Sequence, residues 1–279
     1  MTNKQERLQG PVGFIGAGAM AEAIIAGAIA RNVVAPESVF AYDIRRRRLE
    51  ELRKTYGIQT AEDMAGAFVG DMVVLAVKPQ HMSDVLQDAA PLVRTNQLIV
   101  SVAAGITTSF IEARIGGEPK VIRVMPNTPC LIGEGAIAVS QGRFASAADA
   151  EPVIQLFQAV GEVMVLPEEQ LDVVTGLSGS GPAYVCMIIE ALADGAVAAG
   201  LPRDVALRLA SQTVAGAGKW VKERLHVGEH PAVLREQVTS PGGTTARGLQ
   251  ELEDRAVRAA FSRAVQAATE RARELGKES

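Results

Sequence analysis

The sequence has little of several residue types that would define a function class. It contains two cysteines, Cys130 and Cys186, three histidines and 4% aromatic residues in 279 positions. Two cysteines in unrelated contexts form neither a disulfide framework nor a zinc cluster, so we expect no metal site. An excess of basic residues is also missing, because the formal net charge is -4. This charge argues against nucleic acid or an anionic membrane surface as a partner.

Long uninterrupted apolar runs are scarce as well. Glycines and Glu22 interrupt the apolar stretch 11–30, and Glu190 and Asp194 interrupt the stretch 184–199. We therefore expect neither an export signal nor a membrane-spanning helix. Apolar residues make up 48% of the chain and charged residues 22%, a balance typical of a folded cytoplasmic protein.

The first part of the chain alternates short aliphatic runs with helical patterns. The predicted strands are Val12–Gly16, Ser38–Tyr42, Met72–Val77, Leu98–Ser101, Val121–Val124, Gly135–Val139 and Val163–Leu166. The predicted helices between the first five strands are Ala19–Ala30, Arg45–Tyr56, a short one near Glu62–Gly66, His81–Ala90 and Thr107–Ile115. Strands separated by crossover helices predict a Rossmann-like, doubly wound parallel sheet with helices on both faces, an α/β fold.

The pattern becomes entirely helical after about Leu166. The predicted helices there are Glu169–Leu177, Gly181–Ala199, Arg203–Leu225, Pro231–Val238 and Thr244–Leu275. We therefore predict a dinucleotide-binding domain over residues 1–167 and an all-α domain over 168–279. Because helices rich in Ala and Gly bury little large apolar surface alone, we expect the second domain to share its core with a second subunit, which makes the protein a homodimer.

A glycine-rich turn follows the first predicted strand and opens the first helix. The turn reads Gly16-Ala17-Gly18-Ala19-Met20-Ala21. In a dinucleotide site, Gly16 supplies the tight turn and Gly18 the close approach of backbone to the pyrophosphate, with a small residue at Ala21 for helix packing. The alternative is a purely structural turn. Because a strand precedes it and a helix follows, the pattern favours dinucleotide binding, with Gly16, Gly18, Ala19 and Met20 at the cofactor.

The end of the second strand is expected near the adenosine ribose. Asp43 there fits the ribose hydroxyls of NADH, whereas Arg45 fits the extra phosphate of NADPH. The sequence offers both, so the choice between NADPH and NADH stays open. The alternative for the basic run Arg45–Arg48 is a solvated helix face.

Other strand ends supply further candidate residues at the carboxyl edge of the sheet. The expected cofactor contacts are Val77, Lys78 and Pro79 after the third strand, Ala103, Ala104 and Gly105 after the fourth, and Asn127 after the fifth. Lys78 is also a candidate catalytic proton donor, and its alternatives are a positioning role or a solvated lysine. Asn127 lies where a loop can close over the nicotinamide, and its alternative is a turn set by the flanking prolines.

Several motifs together resemble the pyrroline-5-carboxylate reductase family over nearly the whole chain. They are Gly16-Ala17-Gly18-Ala19-Met20, Val77-Lys78-Pro79, Arg123-Val124-Met125-Pro126-Asn127-Thr128-Pro129, Ser178-Gly179-Ser180-Gly181-Pro182-Ala183-Tyr184 and Val238-Thr239-Ser240-Pro241-Gly242-Gly243-Thr244-Thr245. The resemblance implies a helical domain that interlocks with a partner subunit, often a ring of dimers, and reduction of Δ1-pyrroline-5-carboxylate in proline biosynthesis. Cys130 departs from the family pattern, which usually has a small residue there.

A second glycine-rich segment precedes the last predicted helix. We expect Ser240, Gly242, Gly243, Thr244 and Thr245 to bind the substrate, because free N–H groups at a helix N-terminus donate hydrogen bonds to a carboxylate. Thr245 is the catalytic candidate that orients the imine nitrogen. The alternative is that Ser240 merely caps the helix and the glycines form a turn.

Two rival functions are compatible with a two-domain nucleotide-binding chain. A hydroxyacid dehydrogenase of similar build carries a helical Lys with an Asn one turn later, but Lys219 and Lys222 are followed at that spacing by Glu223 and His226. A nucleotide-binding regulator without turnover is the second rival. The complete substrate segment argues against it.

Overall fold

The computed structural model describes residues 7–278, with side chains up to residue 276. By internal contacts the chain divides into two units, which we call the sheet unit (Met1–Ser180 with Ala267–Ser279) and the helical unit (Gly181–Gln266). The predicted boundary between residues 167 and 168 concerns domains and stays a prediction. By contacts, residues 168–180 group with the sheet unit.

The sheet unit contains an eight-stranded sheet with the strand order β3-β2-β1-β4-β5-β6-β7-β8. The strands are β1 (Val12–Ile15), β2 (Val39–Tyr42), β3 (Gln59–Thr60), β4 (Met72–Leu75), β5 (Leu98–Ser101), β6 (Lys120–Met125), β7 (Gly135–Gln141) and β8 (Gly161–Val165). The pairs from β3 to β6 are parallel, as expected. The polar two-residue strand β3 was not predicted, because it carries no apolar pattern.

The parallel arrangement ends at β6. β7 pairs with β6 in the antiparallel direction, and β8 then runs parallel to β7. The predicted parallel sheet is thus confirmed for β1, β2, β4, β5 and β6, and β7 adds one antiparallel pair at this edge. Because β6 and β7 are joined by a short connection and not by a crossover helix, the chain reverses there.

Helices cover both faces of the sheet. They are α1 (Ala19–Ala30), α2 (Arg46–Tyr56), α3 (Met82–Ala89), α4 (Thr108–Ile115) and α5 (Ala147–Gln158). Neighbouring strand residues point to opposite faces: Phe14 packs with α1, α2 and α5, whereas Ile15 packs with α3 and α4. Both faces are thus buried, which is why the strands appear as continuous apolar runs.

Helix α5 was not predicted. It contains Pro152, which lacks an N–H donor and normally disfavours a helix interior. A reciprocal capping box between Ser146 and Asp149 starts the helix, and its apolar side, including Val153 and Phe157, is fully buried. Capping and burial outweigh the cost of the proline.

The remaining helices are α6 (Leu171–Val174), α7 (Gly181–Ala198), α8 (Arg203–Leu225), α9 (Pro231–Gln237), α10 (Thr244–Asp254) and α11 (Val257–Glu278). A π-helical turn, Thr175–Gly179, connects α6 to α7. The single helix predicted over Thr244–Leu275 is wrong. It divides at Ala256, whose φ of 53° is left-handed and ends a right-handed helix.

The helical unit is built around small residues. α7 and α8 pack through the buried Ala193, Ala206 and Ala210. Small side chains let the two helices approach closely, as their composition predicted. They also leave many larger apolar side chains of this unit exposed.

Candidate functional site

The strand order places a crevice at the carboxyl ends of β1 and β4. β1 lies between β2 and β4, so the chain leaves β1 in one direction through α1 and returns on the other side to β4. Such a reversal of strand order is the point where open α/β sheets bind nucleotides. The predicted glycine-rich turn connects β1 to α1 at this point.

The two glycines of the turn are needed for different reasons. Gly16 has a φ of +94°, and a Cβ atom there would lie 2.6 Å from the Ala76 carbonyl oxygen, so only glycine fits the fold. Gly18 is the N-cap of α1, and, apart from its immediate chain neighbours and the backbone of α1, no atom of residues 7–278 lies within 4 Å of where its Cβ would be. The space beside Gly18 is therefore open at the N-terminus of a helix, which suits a pyrophosphate. Ala21 is fully buried under the turn.

Asp43 and Arg45 interact with each other at the end of β2. The Arg45 guanidinium donates from Nε to Asp43 Oδ1 (3.1 Å) and from Nη2 to Oδ2 (3.2 Å). The backbone N–H groups of Ala17 and Arg45 also donate to the carboxylate, both at 2.8 Å. Burial alone would raise the pKa of Asp43, but these hydrogen bonds outweigh it and lower the pKa below its usual value. Asp43 is therefore a charged residue whose two oxygens are already engaged.

The basic run divides between exposed and inward-facing side chains. The side chain of Arg47 is 89% exposed and pairs with Glu51, whereas that of Arg48 is 22% exposed. Arg48 Nε donates to the Ala17 carbonyl oxygen at 2.8 Å. The solvated face is thus correct for Arg47 but not for Arg48.

Residues after β4 and β5 line the same edge of the sheet. Lys78, Pro79 and Ala104 are exposed, Val77 is half-buried, and Ala103 and Gly105 are buried. Because β4 and β5 are neighbours, the structure brings these two segments to adjacent strand ends. Lys78 itself precedes a 3₁₀ turn, Pro79–His81.

Asn127 follows β6, and its side chain is held within the sheet unit. Its Oδ1 accepts the Ala136 N–H at 2.9 Å, and its Nδ2 donates to the Ser178 carbonyl oxygen at 3.0 Å. Asn127 therefore connects the start of β7 to the π-helical turn. In that turn a Cβ on Gly179 would lie 2.8 Å from Met125 Cε, so the turn packs closely against the end of this side chain. Burial raises the pKa of the nearby Cys130 thiol, so this cysteine is a packing residue.

A buried charged cluster that the sequence reasoning missed lies beside this turn. Arg123 in β6 is 3% exposed and pairs with Glu168 (3.2 Å) and Asp172 (3.6 Å). Glu168 also accepts hydrogen bonds from the N–H and hydroxyl of Thr108. The available signal was a lone arginine inside an apolar strand. The cluster holds the segment before the π-helical turn against β6 and α4.

The second glycine-rich segment lies in the helical unit and forms a tight turn. The Gly243 N–H donates to the Ser240 carbonyl oxygen at 3.0 Å, with Pro241 second and Gly242 third at a φ of +69°, the signature of a type II turn. Gly243, not Ser240, is the N-cap of α10, and it provides no side-chain cap. The interpretation of Ser240 as a helix cap is therefore wrong.

The absence of a side-chain cap leaves the N-terminus of α10 available to an anion. The first N–H groups of a helix have no partner within it. A Cβ on Gly243 would meet Ser240 Oγ and would lie 3.1 Å from the Ser240 carbonyl oxygen, so a larger residue there would force the Ser240 hydroxyl to move. Thr244 is exposed and Thr245 half-buried in the first turn of α10. All five predicted substrate residues thus lie together.

The described residues also bear on a metal site and on a membrane-spanning helix. Within residues 7–278, His, Cys, Asp and Glu side chains form no group of three or more that could hold a metal ion. The continuous helical stretch Glu168–Ala198 is long and apolar enough to cross a membrane by length and composition. The core helix of a folded protein meets the same criterion, so length and composition alone do not overturn the expectation that no helix spans a membrane.

Family models match both parts of the chain. The description "Pyrroline-5-carboxylate reductase dimerisation" matches residues 168–275, and "NADP oxidoreductase coenzyme F420-dependent" matches residues 11–105. The helical stretch that meets the membrane criterion therefore lies in a segment similar to a dimerisation domain.

The chain is similar over almost its whole length to pyrroline-5-carboxylate reductases. It is 43% identical to one from Methanosarcina acetivorans over 95% of this chain and 98% of the relative, and 45% identical to one from Arabidopsis thaliana over 95% of each. A solved structure of one from Coxiella burnetii superposes with a TM-score of 0.90 at 35% identity, covering 96% of this chain and 99% of that one. A Plasmodium falciparum pyrroline carboxylate reductase with NADP bound gives 0.85 at 31% identity, covering 97% and 100%.

Proposed function

Because this chain belongs to the pyrroline-5-carboxylate reductase family, we propose that it reduces the C=N bond of Δ1-pyrroline-5-carboxylate to give L-proline, with a hydride from NADPH or NADH. The observation that carries this proposal is the identity of 43% over 95% of the chain, which includes both glycine-rich segments. The reduced nicotinamide cofactor supplies the hydride when bound. The protein supplies binding and orientation.

The cofactor is proposed to bind at the carboxyl edge of the sheet. Gly16 sets the turn, and the open space at Gly18 lets the pyrophosphate approach the N–H groups of Gly18, Ala19 and Met20. The proposed nicotinamide contacts are the segments Val77 to Pro79 and Ala103 to Gly105, with Asn127 holding the neighbouring loop.

The Asp43–Arg45 pair supports a site that accepts NADPH as well as NADH. A free aspartate would repel a 2′-phosphate, but the Asp43 charge is paired with Arg45. Arg45 uses Nε and Nη2 in this pair, and its side chain is 64% exposed, so other donors can reach a phosphate. The description of the matched model and the Plasmodium falciparum relative both name NADP.

Arg45→Ala tests this cofactor assignment. If Arg45 binds the 2′-phosphate, the substitution weakens the binding of NADPH by about 1–3 kcal/mol, because a charge-assisted hydrogen bond is lost. The binding of NADH stays unchanged. Calorimetric titration with each reduced cofactor measures the difference. Equal losses for both cofactors would mean that Arg45 makes no contact with the phosphate.

The substrate is proposed to bind at the turn before α10. Its carboxylate accepts hydrogen bonds from Ser240 and from the N–H groups of Gly242 and Thr244, while Gly243, whose own N–H closes the turn onto the Ser240 carbonyl oxygen, holds these groups in place. Thr245 orients the imine nitrogen through its hydroxyl. Since a cyclic imine is basic enough to be partly protonated near neutrality, a strong enzymatic acid is unnecessary, and Lys78 serves as a proton donor or as a positioning group.

The assembly is proposed to be a homodimer formed through residues 168–275, or a ring of such dimers. The exposed apolar side chains of the helical unit support this proposal, because a large apolar surface on a monomer marks an interface. The net charge of -4 argues against nucleic acid or an anionic membrane surface as a partner, and the balance of 48% apolar and 22% charged residues supports a cytoplasmic protein.

Steady-state oxidation of NADPH and of NADH in the presence of pyrroline-5-carboxylate tests the function directly. We expect proline to form in amounts equal to the cofactor consumed. A 2-keto acid in place of the imine is the control, because a hydroxyacid dehydrogenase would reduce it. Turnover with the keto acid and none with the imine would overturn the proposal, and cofactor binding without either reaction would favour the regulator.

A further inference from the structure

Two side chains from the second βα unit hold the peptide groups on either side of Ala17. The Ala17 N–H donates to Asp43 Oδ2, and the Ala17 carbonyl oxygen accepts from Arg48 Nε, both at 2.8 Å. Ala17 is fully buried, so water cannot replace either partner. The glycine-rich turn is therefore fixed by groups outside its own sequence.

Arg48 determines the direction of one particular N–H group. The Ala17 carbonyl and the Gly18 N–H belong to the same peptide group, which is planar and, like all described peptide bonds, trans. In a trans peptide the C=O and N–H vectors point in opposite directions. When Arg48 holds the Ala17 oxygen, it therefore aims the Gly18 N–H away from the Arg48 guanidinium.

Arg48 is itself oriented by neighbours on both helices. Its Nη2 pairs with the Glu22 carboxylate in α1, and its Nη1 donates to Glu51 in α2 at 3.4 Å. Tyr56 donates its hydroxyl to the other Glu22 oxygen at 3.1 Å. A planar guanidinium makes these contacts simultaneously, because its N–H donors point in fixed, divergent directions. A lysine ammonium on a flexible chain does not reproduce this geometry.

We propose that Arg48 is a positioning residue for the dinucleotide, which it serves by holding the Ala17–Gly18 peptide so that the Gly18 N–H faces the pyrophosphate. The inference rests on the proposed function in one respect, namely that the turn binds a nicotinamide dinucleotide. It assigns a role to one arginine of the basic run 45–48 without any direct contact with the cofactor. Both NADPH and NADH carry the pyrophosphate, so Arg48 affects both.

The test compares Arg48→Lys and Arg48→Met with Arg47→Met. Arg47 is the matched control, because it is the adjacent arginine and also pairs with Glu51, but its side chain is almost fully exposed. We expect both Arg48 variants to raise the Kd of NADPH and of NADH by a similar factor, about tenfold, as for losing one charge-assisted hydrogen bond. The KM for the imine at saturating cofactor stays unchanged. Arg47→Met leaves both Kd values unchanged.

Three results would overturn the proposal. A loss confined to NADPH would mean that Arg48 contacts the 2′-phosphate directly. Full affinity in Arg48→Lys would mean that only the positive charge matters. Unchanged Kd values in Arg48→Met with a lowered melting temperature would make Arg48 a purely structural residue.

A milder variant keeps the test valid if Arg48→Met does not fold. Glu22→Gln preserves the shape of the Arg48 partner and removes its charge, so both Kd values should rise by a smaller common factor, about threefold. Unchanged affinity for both cofactors in Glu22→Gln would contradict the proposal. Titration of the unmodified protein without imine separates the two claims: cofactor binding without imine reduction defeats the proposed function but leaves the Arg48 inference standing.

Discussion

The sheet unit and the helical unit solve the problem of burying apolar surface in different ways. In the sheet unit, large side chains such as Phe14, Ile24 and Phe157 are at most 1% exposed between a sheet and helices on both faces. In the helical unit, the buried cluster consists of Ala193, Ala206 and Ala210. Larger apolar side chains of that unit stay exposed, namely Val185, Met187, Leu192, Leu201, Val205, Leu207, Leu209, Leu225, Val227, Val233, Val238 and Leu252.

The difference shows that the two units depend on different sources of stability. Burial of a large apolar side chain contributes roughly 1.5–3 kcal/mol, whereas an alanine contributes much less. The sheet unit therefore has a sufficient core of its own. The helical unit leaves larger apolar side chains exposed, which the proposed dimer would cover, in keeping with the dimerisation model that matches residues 168–275.

The sharpest test of the self-sufficient core is Phe157→Ala. Phe157 is fully buried, and removing such a ring costs about 3–5 kcal/mol through lost burial and a cavity. Urea denaturation should show this loss relative to the unmodified protein at both low and high protein concentration. Phe144→Ala, at a half-buried ring, is the control and should cost less. A difference that depends on concentration would mean that the sheet unit also relies on the partner.

Met187→Asp tests the dependence of the helical unit on a second copy. The Met187 side chain is 58% exposed in the single chain, and an aspartate at that position would be buried without a partner in a dimer interface. We expect a destabilisation of the dimer by about 3 kcal/mol. Light scattering at micromolar concentration should then show monomer. Val69→Asp, at an exposed apolar residue of the sheet unit, should keep the assembly intact, and a Met187→Asp protein that stays dimeric would contradict the comparison.

Gly18→Val tests whether the cofactor site can be lost without loss of the core. A side chain there enters open space in the protein but occupies the place of the pyrophosphate, so the Kd of either cofactor should rise by at least about a hundredfold. The melting temperature should hardly change. Gly16→Val is the contrasting variant, because its side chain meets the Ala76 carbonyl and should destabilise the fold. Unchanged cofactor affinity in Gly18→Val would remove Gly18 from the site.

Thr245→Ala, in the helical unit, is expected to have the smallest effect of the four substitutions. Loss of one neutral hydrogen bond costs about 0.5–1.5 kcal/mol, and more if the bond tightens as the hydride arrives. The kcat/KM for the imine should therefore fall by at least about tenfold, with cofactor affinity unchanged. Thr245→Ser keeps the hydroxyl and should recover most of the activity. If both variants lose activity equally, the methyl group matters and the assignment of the hydroxyl is wrong.

The sequence was sufficient to predict most of the elements, for a physical reason. Strands buried on both faces appear in the sequence as continuous apolar runs, so the positions of β1, β4 and β5 could be predicted to within two residues or fewer. Helix α5, which contains Pro152, was not predicted, and the division at Ala256 was missed because no glycine or proline marks it. The direction of β7 depends on pairing and has no local signal.

The sequence predicted where the site segments lie in the fold better than it predicted which residues contact one another. The glycine-rich turn and the Ser240 to Thr245 segment lie at helix N-termini, as the patterns indicated. The hydrogen bond from Ala17 to Asp43 and the ion pair of Arg123 with Glu168 join residues 26 and 45 positions apart. No local pattern encodes such pairs, so only the fold reveals that Asp43 supports the turn.

The discontinuous sheet unit has a consequence for how the protein is made. Domains generally fold as units while the ribosome is still adding residues, the N-terminal one first. Here the sheet unit includes residues that are added after the whole helical unit: Thr269 and Ala272 are buried, and Gly276 lies against Gly105. The surface around Gly105 therefore stays uncovered until translation has passed residue 276. A nascent chain stalled before that point would expose this surface to chaperones and proteases.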